Sequence, residues 1–220
     1  MTKPSPDLLN EMERDALTEL INIGVSRAAT NLRTMINHEV LLSVPSVAII
    51  TRGEAARTIG EHGGSRLVAV RQDFEGDFHG RAMLIFPESN SLELVRAVTG
   101  GIVPSEDIET LEQEALAETG NVVLNSFLAT IANLLLRSLR MSLPEVVRGS
   151  AVELFDRSVG TNSADPVLLI YIDFSVNARE IRGYIAMVMD LPGLQVLKDL
   201  LDGLINRTAR AAPPMTHVAP

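Results

Sequence analysis

Two short stretches of this chain place a glutamate three positions before an asparagine. The first contains Glu19 and Asn22, and the second contains Glu118 and Asn121. On a helix, residues at this spacing lie one turn apart on the same face. An asparagine amide both donates and accepts hydrogen bonds, so it can hold a water molecule in a chosen direction. A glutamine amide does this for the attacking water in small GTPases, so the pair suggests phosphoryl transfer.

Each pair belongs to a longer polar stripe with the spacing i, i+4, i+7 and i+11, which falls within a helical sector of about 60°. The first stripe is Asp15, Glu19, Asn22 and Ser26, and the second stripe is Glu114, Glu118, Asn121 and Asn125. The apolar residues of both helices lie on the opposite side, where we expect the protein core. They are Leu17, Leu20, Ile21 and Leu32 in the first helix, and Leu116, Val123, Leu124 and Phe127 in the second.

The solvated face of an amphipathic helix gives a similar pattern, but two observations favour a functional stripe. Asparagine is a poor residue for a helix interior, where a surface selected for stability would use Glu, Lys or Ala. The pattern also occurs twice with the same gap of 22 residues to a proline, because Pro45 follows Asn22 as Pro144 follows Asn121.

Neither stripe contains a cation of its own. A carboxylate close to a phosphoryl dianion is repelled unless a positive charge lies opposite it. We therefore expect a partner to supply that cation. An exposed stripe on a helix also indicates that the substrate is the surface of another protein rather than a buried metabolite.

The elements that carry the stripes occur in the same order in both halves of the chain. We predict a helix, three strands and a helix in residues 7–101 and again in residues 106–205, with the stripes offset by 99 residues. A polar, glycine-rich loop with room for one turn of helix is predicted at 52–65. The predicted helices are 7–35, 87–100, 106–139 and 192–205. The predicted strands of the first half are 40–51, 66–74 and 79–86. In the second half, the first predicted strand carries Pro144 and continues through 152–155, and the other two are 167–176 and 181–190.

Three strands and two helices in each half give too little core for either half to be stable by itself. We therefore predict one domain over residues 1–205, of mixed α/β (α+β) class. It has a six-stranded sheet with pseudo-two-fold symmetry and long helices packed on it. Residues 206–220 are rich in alanine and proline, and we expect them to form a disordered tail.

Composition narrows the functional classes. The net charge is −9 without a run of Lys or Arg, so we expect neither a nucleic-acid nor a membrane partner. The absence of cysteine excludes disulfides and thiolate chemistry. The four histidines have no metal-ligand spacing, so we predict no metal site. Because no stretch is apolar enough for a membrane span or a signal peptide, we expect a cytoplasmic protein.

The repeated pattern Asp/Ser-x3-Glu-x2-Asn-x22-Pro resembles that of the CheC–CheX–FliY phosphatases of bacterial chemotaxis, and two copies are similar to the CheC type. The resemblance implies a phosphatase, a hydrolase that dephosphorylates the phospho-aspartate of a CheY-like response regulator. It implies that Asn22 and Asn121 orient the attacking water, and that Glu19 and Glu118 pair with a lysine of the regulator. Mg²⁺ would belong to the regulator, so this chain needs no cofactor of its own. The flanking stripe residues, Asp15, Ser26, Glu114 and Asn125, would contact the partner.

This chain departs from the family pattern once in each stripe. The second stripe has Glu114 where the first keeps the family's leading Asp15. Family members commonly have glycine just before the asparagine, which is Gly120 in the second stripe but Ile21 in the first. The second site is therefore favoured, although both are retained. A non-catalytic adaptor is the alternative, in which the same stripes bind a response regulator or a CheD-like receptor deamidase.

Overall fold

One antiparallel sheet, with seven strands in the part of the chain that the structure describes, forms the middle of the molecule, and helices cover both of its faces. The computed structural model describes residues 8–37, 39–64, 66–98, 108–156, 166–176 and 179–211. The helices are α1 Glu11–Ile36, α2 Arg52–Gly63, α3 Ser91–Val98, α4 Ile108–Leu134, α5 Ala151–Asp156 and α6 Leu191–Ala211. The strands are β1 Val40–Thr51, β2 Leu67–Gly76, β3 Gly80–Pro87, β4 Leu139–Met141, β5 Glu145–Gly149, β6 Pro166–Val176 and β7 Arg179–Met189.

The two halves of the chain exchange strands across the sheet. The strand order is β1-β6-β7-β3-β2-β4, and β5 also pairs with β2. The first strand of each half therefore pairs with the second strand of the other half, while β3 and β7 pair at the centre. This arrangement confirms the predicted mixed class and the single sheet shared by two related halves.

The two prolines that follow the stripes interrupt the outer strands. Pro45 lies inside β1, at a shift in the pairing register between Ser43 and Ser46. Pro144 lies between β4 and β5, which both pair with β2. A proline has no backbone N–H to donate to a neighbouring strand, so bulges and breaks at sheet edges are its usual positions. The break at Pro144 explains why the sheet has seven strands instead of the predicted six.

The long helices α1 and α4 pack against each other on one face of the sheet, together with α3 and α6. An Asn10–Glu13 capping box begins α1. The apolar sides of α1 and α4 are buried as predicted, with Ile21 and Phe127 completely inaccessible to solvent. Among the described helices, none is both long and apolar enough to cross a membrane.

Two helices cover the opposite face of the sheet, and the sequence prediction was wrong for both. The predicted loop 52–65 contains α2, and the predicted strand residues 152–155 belong to α5. Each helix begins with hydrogen bonds in both directions between an N-cap hydroxyl residue and a glutamate, Thr51 with Glu54 and Ser150 with Glu153. Their apolar residues form a second core cluster with the sheet. The stabilisation from burying these apolar residues exceeds the cost of the glycine and polar residues that suggested a loop.

Two helix ends also differ from the prediction. The helix α4 ends at Leu134 instead of residue 139, and Leu136 just beyond it has the left-handed φ of 58°. The helix α6 continues to Ala211, so residues 206–211 are helical although they were assigned to the disordered tail. The rest of that tail, the linker at 102–107 and the loop 157–165 lie outside the described residues.

The capping box of α2 makes one contribution to stability depend on pH. Hydrogen bonds from the Thr51 backbone, and then from its hydroxyl, lower the pKa of Glu54 from its usual 4.5. A group with a lowered folded-state pKa stabilises the fold above its unfolded pKa, and this contribution is lost as the pH falls through the folded pKa. We expect Glu54→Gln to lower the free energy of unfolding by about 0.5 kcal/mol at pH 7.

The difference between Glu54→Gln and the unsubstituted protein should shrink below about pH 4.5, which denaturant titrations at several pH values would measure. The control is Glu61→Gln, on the exposed side of the same helix, which should change the free energy of unfolding little at any of these pH values. A Glu54→Gln difference that stays constant down to pH 3 would contradict the prediction.

Candidate functional site

The two stripes lie on α1 and α4, and they differ in how far their side chains are buried. All four residues of the first stripe are exposed. In the second stripe Glu114 and Glu118 are exposed, whereas Asn121 and Asn125 are partly buried. The second stripe therefore begins at the surface and ends against the sheet.

A chain of hydrogen bonds holds Asn121 at the sheet. Its Oδ1 accepts from Gln72 Nε2 at 3.1 Å and from Asn125 Nδ2 at 2.7 Å. Gln72 lies on β2 and is 1% exposed, and its Nε2 also donates to the backbone oxygen of Ser142 at 2.9 Å. The Gln72 side chain of β2 thus connects Asn121 of α4 to the segment between β4 and β5.

The break at Pro144 positions the last member of this chain. Ser142 is joined to Asp73 of β2 by two hydrogen bonds: its backbone N–H donates to the Asp73 oxygen, and its Oγ accepts from the Asp73 N–H, both at 2.9 Å. Ser142 precedes the interruption between β4 and β5, so its own carbonyl is available to a side chain. The proline of the motif therefore lies two residues after Ser142, whose carbonyl accepts from Gln72.

The helix α4 reaches Gln72 because Gly120 has no side chain. A Cβ built on Gly120 would lie 2.4 Å from the Cβ of Val70, far inside the van der Waals contact distance. Val70 is completely buried and lies two residues before Gln72 on the same face of β2. Only glycine allows this approach, which brings the next residue, Asn121, within hydrogen-bond distance of the strand.

Three residues of the first stripe, Glu19, Asn22 and Ser26, line an open depression between α1 and the second half of α4. The depression has a volume of about 560 Å³ and is lined by Glu19, Asn22, Ile23, Ser26, Arg27, Thr30, Thr130, Asn133 and Leu134. Arg27 brings a positive charge to its edge, although it does not belong to the stripe. No group in the described part of the chain forms a hydrogen bond with the Asn22 side chain.

The strand that corresponds to β2 in the other half offers no counterpart of Gln72. The strand β6 occupies the corresponding place in the other half, and the side chains that it directs toward the helices are Leu168, Ile170, Ile172 and Phe174. The residue before Asn22 is the completely buried Ile21, whereas the residue before Asn121 is Gly120, which has no side chain. Asn22 is therefore an exposed side chain on a helix surface, whereas Asn121 is attached to the sheet.

Gln72 and Ser142 were not identified from the sequence. One signal for Gln72 was present, because it is the polar member of an inward-facing series with Val68, Val70 and Phe74. A buried polar side chain of this kind is normally hydrogen-bonded. Its partner Ser142 is 70 residues away along the chain, and no local pattern connects the two.

The chemistry available at both stripes is that of neutral amides and carboxylates. Within the residues that the structure describes, no three or more His, Asp or Glu side chains are grouped to hold a metal ion. Glu19 and Glu118 are exposed and can attract a cation from outside. The arrangement is suited to binding a charged partner and orienting a small molecule with an amide.

Comparisons with a family model and with known sequences both find similarity to CheC-like proteins. A family model described as the CheC-like family matches residues 12–49, which contain all of α1 except its first residue and most of β1. The flagellar motor switch phosphatase FliY of Bacillus subtilis (strain 168) is 27% identical over 208 residues, or 92% of this chain and 52% of that protein. The CheY-P phosphatase CheC of the same organism is 30% identical over 144 residues, or 63% of this chain and 67% of that protein. This chain thus spans about half the length of that FliY and about two thirds of that CheC.

Among solved structures, FliY from Thermotoga maritima has a similar fold. The TM-score is 0.68 at 17% sequence identity, over 89% of this chain and 98% of that chain. At this level of identity the similarity shows the fold alone, and the mixed helix and sheet arrangement agrees with it.

The close approach at Gly120 predicts a large effect of a small substitution. We expect Gly120→Ala to lower the free energy of unfolding by about 1–3 kcal/mol, because the added methyl group clashes with Val70. Helix propensity alone predicts a higher free energy of unfolding for this variant, because alanine favours a helix more than glycine does. Chemical denaturation measures the difference in the free energy of unfolding.

The control is Gly53→Ala in α2, where a Cβ meets nothing within 4 Å. There we expect little change or a small gain in the free energy of unfolding. Equal stability of both variants and the unsubstituted protein would show that α4 does not need this contact.

Proposed function

The chain belongs to the CheC-like family, and from that premise we propose that it hydrolyses the acyl phosphate on the aspartate of a CheY-like response regulator. The B. subtilis relatives named as phosphatases support this reaction class. The observation that carries the proposal is the Asn121 amide, which is attached to the sheet one turn away from the exposed Glu118.

The reaction needs an oriented water molecule more than it needs a nucleophile from the protein. The water oxygen forms a bond to phosphorus while the bond from phosphorus to the aspartate oxygen breaks. The aspartate leaves as a carboxylate with the bonding electron pair, and the protons of the water remain with the inorganic phosphate. Such transfers depend mainly on positioning and on stabilisation of charge. An asparagine amide supplies the positioning without adding a negative charge next to the phosphoryl group.

Glu118 and Glu19 have the complementary role of docking. Each carboxylate is exposed and lies one helical turn from its asparagine. A lysine on the regulator would pair with this carboxylate and would also offset the repulsion between the carboxylate and the phosphoryl group. The exposed stripe residues Asp15, Ser26 and Glu114 lie along the same surfaces and would extend the contact, whereas Asn125 is partly buried and donates to Asn121.

The surroundings of the second stripe also fit a protein partner. Leu143, next to Ser142, is 88% exposed, so an apolar side chain projects close to the Asn121 site. Because the described residues contain no cluster suited to Mg²⁺, we assign no step to a metal of this chain, and the Mg²⁺ of the reaction would be held by the regulator.

The two sites are proposed to contribute unequally. Asn121 is held in one place by its neighbours, whereas Asn22 must be immobilised when the partner binds. Fixing a side chain on binding costs conformational entropy that a preorganised group has already lost. Asn121 should therefore provide the larger part of the rate of phosphate release. Arg27, beside Asn22, can contribute to the binding of an anionic partner.

The test is phosphate release from a phosphorylated CheY-like regulator of the same organism. In a double variant with Asn22→Ala and Asn121→Ala, we expect the rate of phosphate release that the protein adds to spontaneous decay to fall roughly 100-fold or more, because neither site keeps its amide. Asn121→Ala alone should cost more activity than Asn22→Ala alone. Binding of the phosphorylated regulator should be largely retained, since both glutamates remain.

Two results would overturn the proposal. A double variant that dephosphorylates the regulator as fast as the unsubstituted protein would remove the asparagines from the reaction. An unsubstituted protein that binds the phosphorylated regulator without accelerating phosphate release would establish the adaptor function instead. Thermal unfolding of each variant serves as the control that the helices remain folded.

A further inference from the structure

We propose that Gln72 and Asn125 fix the orientation of the Asn121 amide, so that its Nδ2 hydrogens point away from the sheet and toward the partner. Asn121 then acts on the partner as a hydrogen-bond donor rather than as an acceptor. The catalytic part of this inference rests on the proposed function. The orientation itself is a property of the regulator-free protein.

The orientation follows from one unambiguous acceptor, the backbone oxygen of Ser142. A side-chain amide can be turned so that its oxygen and nitrogen exchange places, and only its hydrogen bonds decide between the two orientations. A backbone oxygen cannot donate, so the atom of Gln72 that lies 2.9 Å from the Ser142 oxygen must be the nitrogen Nε2. The same Nε2 lies 3.1 Å from Asn121, and the atom of Asn121 that faces a donor must be the acceptor Oδ1.

Asn125 completes the arrangement. Because Asn121 presents Oδ1 to the protein, the Asn125 atom at 2.7 Å from it must be the donor Nδ2. An amide oxygen has two lone pairs, and the two donors from Gln72 and Asn125 occupy both of them. In the described part of the chain Asn121 Nδ2 has no hydrogen-bond partner, and it is not among the buried unpaired atoms, so it reaches the solvent.

The two supporting residues each leave an acceptor unpaired in order to donate to Asn121. Gln72 Oε1 and Asn125 Oδ1 are both buried without a hydrogen-bond partner among the described residues. Such atoms are uncommon in proteins and lower stability. Turning either amide would remove its donor from Asn121. The unpaired acceptors are therefore the consequence of directing two donors to one oxygen.

The orientation restricts what Asn121 can do in the reaction. An outward amide nitrogen donates to an oxygen of the water or of the phosphoryl group, and it cannot accept a proton from the attacking water. The water must then give its proton to the phosphate or to a group of the regulator. Asn22 has no such restriction, because its side chain is exposed and no described group holds it.

Kinetics in two parent variants separate this role from a general effect on the fold. Asn22→Ala leaves the second site as the source of activity, and Asn121→Ala leaves the first. In the Asn22→Ala parent, we expect Gln72→Met to lower kcat roughly three- to tenfold while KM for the phosphorylated regulator stays unchanged. In the Asn121→Ala parent, the effect of Gln72→Met should disappear, because the residue that it positions is already gone.

Asn125→Ala provides a second, less buried perturbation if Gln72→Met does not fold. It removes the other donor to Asn121, and it should also lower kcat in the Asn22→Ala parent alone. The inference is overturned if both substitutions leave kcat of that parent unchanged. It is also overturned if they lower kcat equally in the two parents, which would indicate a general structural effect.

A readout without the regulator separates a failure of this inference from a failure of the proposed function. Side-chain amide hydrogen exchange measured by NMR should show slow exchange for Gln72 and Asn125, whose amide hydrogens bond to Asn121, and fast exchange for Asn121 itself. Fast exchange at Gln72 together with slow exchange at Asn121 would contradict the orientation. If no variant or parent has phosphatase activity, the proposed function fails and the exchange pattern still decides the orientation.

Discussion

The missing side chain at Gly120 is the constraint on which the second site depends. A single methyl group there would overlap Val70, so the distance between α4 and β2 is set by a glycine. This close packing brings Asn121 to Gln72, and Gln72 is in turn anchored to Ser142 beside the break at Pro144. Gly120 thus sets the distance between α4 and β2, and Pro144 lies in the break that follows Ser142. Asn121 is held by Gln72, which also donates to the Ser142 carbonyl.

The duplicated fold carries two sites that are related in position but unequal in construction. Both stripes lie on long helices of the same layer, and both are followed by a proline that disturbs an outer strand. In the first half Ile21 is buried where the second half has a glycine, and β6, the counterpart of β2, directs only apolar residues toward the helix layer. The first site therefore has an exposed amide in an open depression, while the second has an amide whose oxygen is already bound. Duplication preserved the stripe, but not the surroundings that hold its asparagine.

The sequence was sufficient for the parts of the structure that depend on local periodicity. Helical spacing predicted both stripes and their buried sides, and the repeated order of elements predicted one sheet shared by two halves. The second helix layer was missed because glycine and charge in 52–65 suggested a loop, although the Thr51–Glu54 spacing is a helix-start signal. The support of Asn121 was not predictable in the same way. It depends on contacts between residues far apart in the chain, Gln72 and Ser142 above all, and on a distance between helix and strand that no periodicity encodes.

The most direct test of this unequal construction is the mobility of the two asparagine side chains in the regulator-free protein. Nitrogen-15 relaxation of the side-chain amides should give an order parameter of about 0.85 for Asn121, typical of a rigid group, and below about 0.6 for Asn22. Equal order parameters for the two amides would contradict the conclusion that the sheet holds Asn121 and leaves Asn22 free.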